Sequence, residues 1–248
     1  MTAPSRGRAR IGVFVPFTNT NLEPDMMVMR PDGVSLHFTR LGGYDADEIP
    51  DEAQMADLGA TDIEEPLRLL QGVRPDVVMY GCTSATLAHG PAFDRDLSAR
   101  IAAHSGAMTV TAAGALVHAL RRSGVKKLGF ASPYVSGLND DAITFLASEG
   151  FETVNRSEVE KTLDNTAQGA LSPDTVLELG RKADHPGAEA VVLSCTDMRS
   201  VEIIHTLEDE IGKPVITSNQ AMMFQAMDLV DMGLPPVGYG RLFERIIH

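Results

Sequence analysis

The chain of 248 residues contains no tryptophan and only two cysteines, and aromatic residues make up just 5% of it. A platform of side chains for stacking nucleic-acid bases is therefore not expected. Basic residues are also scarce relative to acidic ones: the net charge is −13, and no basic patch interrupts it. A chain with this charge is not expected to bind nucleic acid or an anionic membrane surface.

Long apolar runs are missing as well. No run approaches the roughly 20 residues that span a bilayer, and the N-terminus lacks the apolar core of a signal peptide. We therefore expect a cytoplasmic protein whose two cysteines are free thiols. The seven histidines show no metal-ligand spacing, and there is no phosphate-binding loop, dinucleotide fingerprint or serine-hydrolase elbow. We expect neither a metal nor an organic cofactor.

Short apolar runs alternate with longer stretches of helical periodicity. Most of the runs are continuously apolar, which is typical of parallel strands buried on both faces. The predicted strands are residues 11–17, 35–39, 77–80, 108–110, 128–131, 190–193 and 214–216. The predicted helices are residues 62–71, 91–104, 112–123, 139–149, 173–183, 200–211 and 219–232. Strands and helices in turn predict an α/β fold with mostly parallel sheets.

The order of elements repeats in the two halves of the chain, which predicts two similar lobes. Cys82 follows the strand VVMY of the first half, and Cys195 follows the strand AVVL at the equivalent point of the second. Ligands of open α/β sheets bind beyond the carboxyl ends of the strands. Two facing lobes would therefore place the two thiols on opposite walls of one cleft.

A pair of opposed thiols suggests a specific chemistry. Each cysteine precedes a predicted helix, whose dipole is expected to lower the pKa of the thiol. Two such groups can invert a stereocentre next to a carboxylate, one removing a proton from one face while the other supplies a proton to the opposite face. Alternatively, one thiolate adds to an activated double bond, the new single bond rotates, and elimination gives the other geometric isomer. Both routes place negative charge on a carboxylate and need preorganised donors.

The chain resembles the Asp/Glu racemase superfamily, and within it the branch of maleate isomerases and arylmalonate decarboxylases, with maleate cis–trans isomerase as the nearest pattern. The resemblance runs from about residue 11 to residue 243. The matching motifs are V-P-F-T-N-T-N-L-E at 15–23, H-F-T-R at 37–40, G-C-T-S at 81–84, S-P-Y at 132–134, D-N-T at 164–166, L-S-C-T at 193–196 and G-R-L at 240–242. Phe38 departs from the family, whose isomerases carry serine at that position.

The resemblance implies a catalytic pair, with Cys82 as the nucleophile and Cys195 as its acid/base partner. The implied substrate-binding residues are Asn19, Thr83, Ser84, Tyr134, Asn165 and Thr196. Arylmalonate decarboxylases have glycine at the position of Cys82. The resemblance also implies a homodimer or larger homo-oligomer, a first lobe of residues 1–115 on which residues 226–248 pack back, and a second lobe of residues 116–225.

Four functions agree with this pattern. The leading one is a cofactor-independent isomerase of a small carboxylate or dicarboxylate. The second is a racemase of amino or hydroxy acids that moves protons between Cys82 and Cys195. The third is a decarboxylase of the arylmalonate type, which the presence of Cys82 disfavours. The fourth is an inactive carboxylate-binding protein. The stretch 42–59, with its paired glycines, is a candidate lid over the site.

Overall fold

The structure is a computed structural model that describes residues 7–42, 63–134, 136–232 and 238–244. Its first sheet has the strand order β2-β1-β3-β4, and all neighbouring strands are parallel. These strands are β1 (Ala9–Pro16), β2 (Val34–Leu41), β3 (Val77–Tyr80) and β4 (Met108–Thr111). Helices α1 (Leu22–Met29), α2 (Glu64–Gln71), α3 (Thr83–Ala88), α4 (Gly90–Ser105) and α5 (Ala112–Arg122) connect and follow them. Nearly all of the candidate lid 42–59 lies outside the described residues.

The second sheet repeats this arrangement with the order β6-β5-β7-β8, again entirely parallel. Its strands are β5 (Lys127–Ala131), β6 (Glu152–Ser157), β7 (Ala190–Leu193) and β8 (Val215–Thr217). Its helices are α6 (Ser136–Ser148), α7 (Asn165–Gly169), α8 (Pro173–Ala183), α9 (Ile204–Ile211), which a 3₁₀ turn (Val201–Ile203) precedes, and α10 (Ser218–Leu229). The predicted α/β fold with two similar lobes is confirmed.

Five described elements were not predicted from the sequence: strand β6, helices α1, α3 and α7, and a short C-terminal helix at Arg241–Glu244. Strand β6 is polar and only half-buried because it lies at the edge of its sheet, so it carries no apolar run. Helix α1 falls in a stretch that reads as acidic and polar, and α7 has only five residues. The central strands β3 and β7 are buried throughout, and their bounds agree with the prediction.

Helix α10 joins the two lobes. It follows β8 of the second sheet and packs against α1, α5, β3 and β4 of the first half. Its buried residues occur all round its axis, as expected for a helix enclosed between two layers. A single core cluster accordingly runs from the strands of the first sheet to those of the second.

The C-terminal stretch has contacts with both halves, and its assignment to the first lobe stays a prediction. Asp228 of α10 contacts His118 of α5 over 3.0 Å. Residues 238–244, which include the short helix α11 (Arg241–Glu244), lie against α9 and β8 of the second lobe. The reason is the buried carboxylate of Glu208, which accepts hydrogen bonds from the backbone N–H groups of Arg241 and Val215. None of the described helices combines the length and apolar composition needed to cross a bilayer.

Candidate active site

A cavity lies between the two lobes, at the carboxyl ends of the central strands. It encloses about 410 Å³ of empty space, counting its open mouth. The lining residues are Pro16, Phe17, Thr18, Asn19, Cys82, Ser84, Tyr134, Asn165, Gln168, Cys195, Thr196 and Asp197. Both predicted catalytic cysteines therefore border one cavity. None of the twelve lining residues carries a positive charge, so hydrogen-bond donors must hold an anionic ligand.

Cys82 comes directly after β3 and caps the N-terminus of α3. Its Sγ lies 3.6 Å from the hydroxyl oxygen of Ser84. The next residue, Thr83, is the one predicted site residue that does not line the cavity. Its hydroxyl instead donates to Ser218 on α10 over 3.1 Å. Its role in substrate binding stays a prediction.

Cys195 follows β7 but begins a turn rather than a helix. The hydroxyl of Tyr134 donates to its Sγ over 3.2 Å, and the backbone N–H of Asp197 does so over 3.3 Å. The Tyr134 hydroxyl also interacts with Ser84, which contacts Cys82. A series of polar contacts thus connects the two thiols across the cavity.

The expectation that helix dipoles lower the pKa of both thiols is wrong. Cys82 is 5% exposed and Cys195 is 2% exposed, and a thiolate buried this deeply loses its hydration. Burial raises the pKa of Cys195 to about 12, and the charge of Asp197 adds to the rise, although the hydrogen bond from Tyr134 opposes it. Burial also raises the pKa of Cys82, against the opposing effect of the N–H groups of Ala85 and Ser84 at the start of α3.

Asn19 is held in the loop between β1 and α1 by both ends of its amide. Its Oδ1 accepts from the N–H groups of Asn21 and Leu22, and its Nδ2 donates to the Thr196 hydroxyl over 3.1 Å. That hydroxyl in turn donates to the carbonyl of Gly81, over 2.9 Å. The residue after one cysteine is therefore bonded to the residue before the other.

Arg40 of the H-F-T-R motif supports the same loop from outside. Its guanidinium donates to the carbonyl groups of Pro16 and Asn19 and forms an ion pair with Glu23 at 2.7 Å. The two N-terminal motifs therefore meet in space, and Arg40 orients the Asn19 loop without lining the cavity.

Asn165 enters the cavity from the short helix α7. The side chain of Asp164 caps this helix by accepting from the N–H of Ala167 over 2.7 Å, a stabilising contact at a helix start. One turn further, Gln168 also lines the cavity, with its Nε2 donating to the carbonyl of Leu163 over 3.0 Å. The D-N-T motif thus serves two purposes, because its Asp builds the helix that presents its Asn.

Sequence reasoning missed three polar lining residues: Thr18, Gln168 and Asp197. Each lies within three positions of a predicted site residue, so adjacency to a motif was the available signal. Among the described residues, no group of three or more His, Cys, Asp or Glu side chains could hold a metal ion.

The profile of the arylmalonate decarboxylase family matches residues 11–243. The chain belongs to this family. It is 27% identical over 251 residues to the maleate isomerase of Nocardia farcinica, covering 96% of this chain and 97% of that protein. It is also 27% identical to the arylmalonate decarboxylase of Bordetella bronchiseptica, covering 93% of this chain and 91% of that protein. The resemblance derived from the motifs is confirmed.

A solved structure of this family agrees over the whole fold. It is a cysteine-to-serine variant of the Nocardia farcinica maleate cis–trans isomerase with a covalently bound succinylcysteine intermediate. The TM-score is 0.86 at 25% identity, covering 95% of this chain and 98% of that one. The family thus contains proteins named as isomerases and proteins named as decarboxylases on one two-lobed scaffold.

Proposed function

We propose that this protein is a cofactor-independent cis–trans isomerase of a small dicarboxylate of the maleate type. The observation that carries the proposal is the presence of Cys82 and Cys195 on one cavity between the lobes. Relatives named maleate isomerase match more than nine-tenths of the chain. A succinylcysteine intermediate in a family structure supports covalent chemistry at one thiol.

In the proposed mechanism, the Cys82 thiolate adds to one carbon of the substrate double bond. The pair of electrons displaced from that bond moves onto the adjacent carbon and its carboxylate, and Cys195 protonates that carbon. Rotation about the new single bond follows. Cys195 then takes a proton back, the C–S bond breaks, and the trans isomer leaves, with Cys82 restored as a thiolate and Cys195 as a thiol. Atoms and charge balance over one turnover.

The carboxylates of the substrate are assigned to neutral donors. Asn19, Ser84, Tyr134, Asn165 and Thr196 line the cavity and present amide or hydroxyl groups. Fixed dipoles of this kind stabilise charge that develops in a transition state without having to reorganise. Thr196 acts mainly by holding the two walls together, because its hydroxyl already donates to Gly81.

Proton NMR in deuterated water tests the proposal. With maleate, the wild-type protein should give fumarate. Cys195→Ala and Cys82→Gly should each lower turnover by several orders of magnitude, because the two steps need both thiols. Ser194→Ala is the matched control, since this buried hydroxyl lies beside Cys195 without a hydrogen-bond partner and does not line the cavity.

The same measurement separates the other functions. Loss of the α-proton signal from a chiral amino or hydroxy acid, with no fumarate from maleate, would indicate a racemase. Release of carbon dioxide from an arylmalonate would indicate a decarboxylase. Full turnover by Cys195→Ala would rule out the two-thiol mechanism.

Two further expectations are also proposals. We infer a homodimer or larger homo-oligomer from the family resemblance. The second is a cytoplasmic location without nucleic-acid partners, and the net charge of −13 supports only the absence of nucleic-acid partners. Sedimentation analysis of the purified protein would test the first of them.

A further inference from the structure

We propose that Ser218 and Asn219, the first two residues of α10, are positioning residues that hold the two thiols at a fixed spacing. The inference rests on the proposed two-thiol function and adds to it the element that links the residue after one cysteine to the residue after the other. Neither Ser218 nor Asn219 lines the cavity, and none of the family motifs quoted above includes them.

Each of the two residues contacts the residue that follows one cysteine. The hydroxyl of Thr83, which follows the first cysteine, donates to Oγ of Ser218 over 3.1 Å. The side-chain amide of Asn219 donates to the carbonyl of Thr196, which follows the second cysteine, over 3.0 Å. The two cysteines come after strands of different sheets. The two contacts therefore join one helix start to both walls of the cavity.

The start of α10 is itself fixed in place. Thr217 and Gln220 form a capping box, in which the side chain of each accepts a hydrogen bond from the backbone N–H of the other over 3.2 Å. The amide of Asn219 also donates to the buried carboxylate of Asp25 on α1, over 2.7 Å. Ser218 and Asn219 therefore project from a helix start that is anchored to both lobes.

The first lobe carries alanine at the equivalent positions. Helix α5 follows β4 as α10 follows β8, and Thr111 caps α5 as Thr217 caps α10. The two residues after the cap are Ala112 and Ala113 in α5, but serine and asparagine in α10, and all four are fully buried. A buried polar side chain costs free energy unless it is hydrogen-bonded. Because alanine meets the packing requirement in one lobe, the hydroxyl and the amide of the other lobe indicate a task beyond packing.

The proposed mechanism depends on the spacing of the two thiols. Cys82 adds to one carbon of the double bond and Cys195 protonates the adjacent carbon, so both sulfur atoms must reach one small substrate. A displacement of about 1 Å from the reactive geometry can cost about 100-fold in rate. Two thiols that follow strands of separate sheets need a common support, and the start of α10 supplies it.

Thiol alkylation without substrate tests the inference. The chain has only two cysteines, so the Cys195→Ala background reports on Cys82 alone, and the Cys82→Ala background reports on Cys195 alone. Ser218→Ala should raise the rate at which iodoacetamide alkylates Cys82 by about three- to tenfold, because the released segment opens more often. It should change the rate at Cys195 by less than about twofold. Asn219→Leu should have the reverse selectivity.

Each variant has a matched control. Ser194→Ala removes another fully buried hydroxyl, directly before Cys195, that has no partner among the described residues; it should change neither rate by more than about twofold. Asn219→Leu leaves the Asp25 carboxylate buried without its donor, so it is also combined with Asp25→Leu, since replacing both partners of a buried hydrogen bond by apolar groups costs little. Asp25→Leu alone keeps the contact between Asn219 and Thr196 and should leave both rates close to those of the parent.

Turnover gives a second measurement. In the enzyme with both cysteines, Ser218→Ala and the double variant Asp25→Leu/Asn219→Leu should each lower kcat for maleate by about 10- to 100-fold. KM should change by less than about threefold, because the donors that line the cavity are retained. Urea unfolding of each variant gives its folded fraction and so separates this effect from a loss of folded protein.

Three results would overturn the inference. The first is equal acceleration of both thiols by either variant, which would show general loosening rather than positioning. The second is unchanged alkylation of the adjacent thiol in a folded variant, and the third is wild-type kcat in the folded variants. Because alkylation uses no substrate, failure of that test is distinct from failure to isomerise maleate.

Discussion

At the scale of single residues, the two Cys-Thr pairs differ despite their matched sequences. The Thr83 hydroxyl donates to Ser218 on α10, whereas the Thr196 hydroxyl donates to Gly81 across the cleft. Equivalent positions in two lobes therefore perform different tasks, since the partners within reach are different. The fourth residue after each strand differs as well: Ser84 contacts Sγ of Cys82 through its hydroxyl, whereas Asp197 donates its backbone N–H to Sγ of Cys195.

Asp25 gives a prediction at this scale. It is 6% exposed, and its carboxylate accepts from Nδ2 of Asn219 over 2.7 Å, while the same amide donates to the carbonyl of Thr196 over 3.0 Å. Burial raises the pKa of Asp25 from 3.8 to about 7. The folded protein therefore holds a proton there that the unfolded chain releases.

The sign of the pH dependence follows from this difference. The cost of ionising buried Asp25 is absent below about pH 3.8, grows as the pH rises, and is complete above about pH 7. Asp25→Asn should remove this cost of ionisation. It should therefore raise the free energy of unfolding above pH 7 by no more than about 4 kcal/mol. Urea unfolding at a series of pH values measures the effect, with the exposed Asp96→Asn as control. An identical slope in wild type and Asp25→Asn between pH 4 and 7 would contradict the prediction.

At the scale of elements, two close contacts between a glycine and the backbone of a neighbouring element hold the sheets in place. A Cβ on Gly81 would lie 2.6 Å from the backbone carbonyl oxygen of Phe14 in β1, and one on Gly129 would lie 2.1 Å from that of Ala183 at the end of α8. Backbone atoms cannot yield as side chains do. Both positions therefore require glycine for close packing rather than for an unusual backbone angle.

The two glycines form a matched pair for experiment. Gly81→Ala and Gly129→Ala should each lower the free energy of unfolding by about 1–3 kcal/mol or more, through overpacking. Only Gly81→Ala should also reduce turnover of the folded protein, because Gly81 precedes Cys82 and accepts the hydrogen bond from Thr196. Urea unfolding and initial rates under native conditions measure the two effects. Equal losses of turnover in both folded variants would contradict the assignment.

At the scale of the whole molecule, the lobes are joined through their helices. We propose the division at residues 115 and 225 as a description of the repeat, not as a boundary between independent folding units. Helix α5 contacts β8 of the second sheet, and α10 contacts β3 and β4 of the first. Each lobe therefore depends on the other to cover its core.

The packing of helices from each lobe on the other lobe predicts cooperative unfolding. Calorimetry should show a single transition with equal calorimetric and van't Hoff enthalpies, because one core cluster spans both sheets. Gly129→Ala, which is strained only in the second lobe, should lower the midpoint of the whole transition. Two separated transitions would show that the lobes fold independently.

The sequence by itself determined the parallel sheets, the repeat and most of the cavity lining. Buried parallel strands such as β3 and β7 are apolar throughout, so their composition marks them, and the cysteines after them mark the site. It did not reveal β6, whose polar edge position is decided by pairing with β5.

Only the tertiary structure decided the direction of the pKa shifts of the two thiols and the position of Asp197 at the cavity. A helix start can be predicted from local sequence, but burial depends on which lobe covers the cysteine. Burial outweighs the N–H groups at the start of α3 for the pKa of Cys82, and no helix begins at Cys195. The hydrogen bonds from Thr20 and Asn21 to Asp197 join residues about 180 positions apart in the chain. No local sequence pattern predicts these hydrogen bonds, because they form only after the two lobes have packed together.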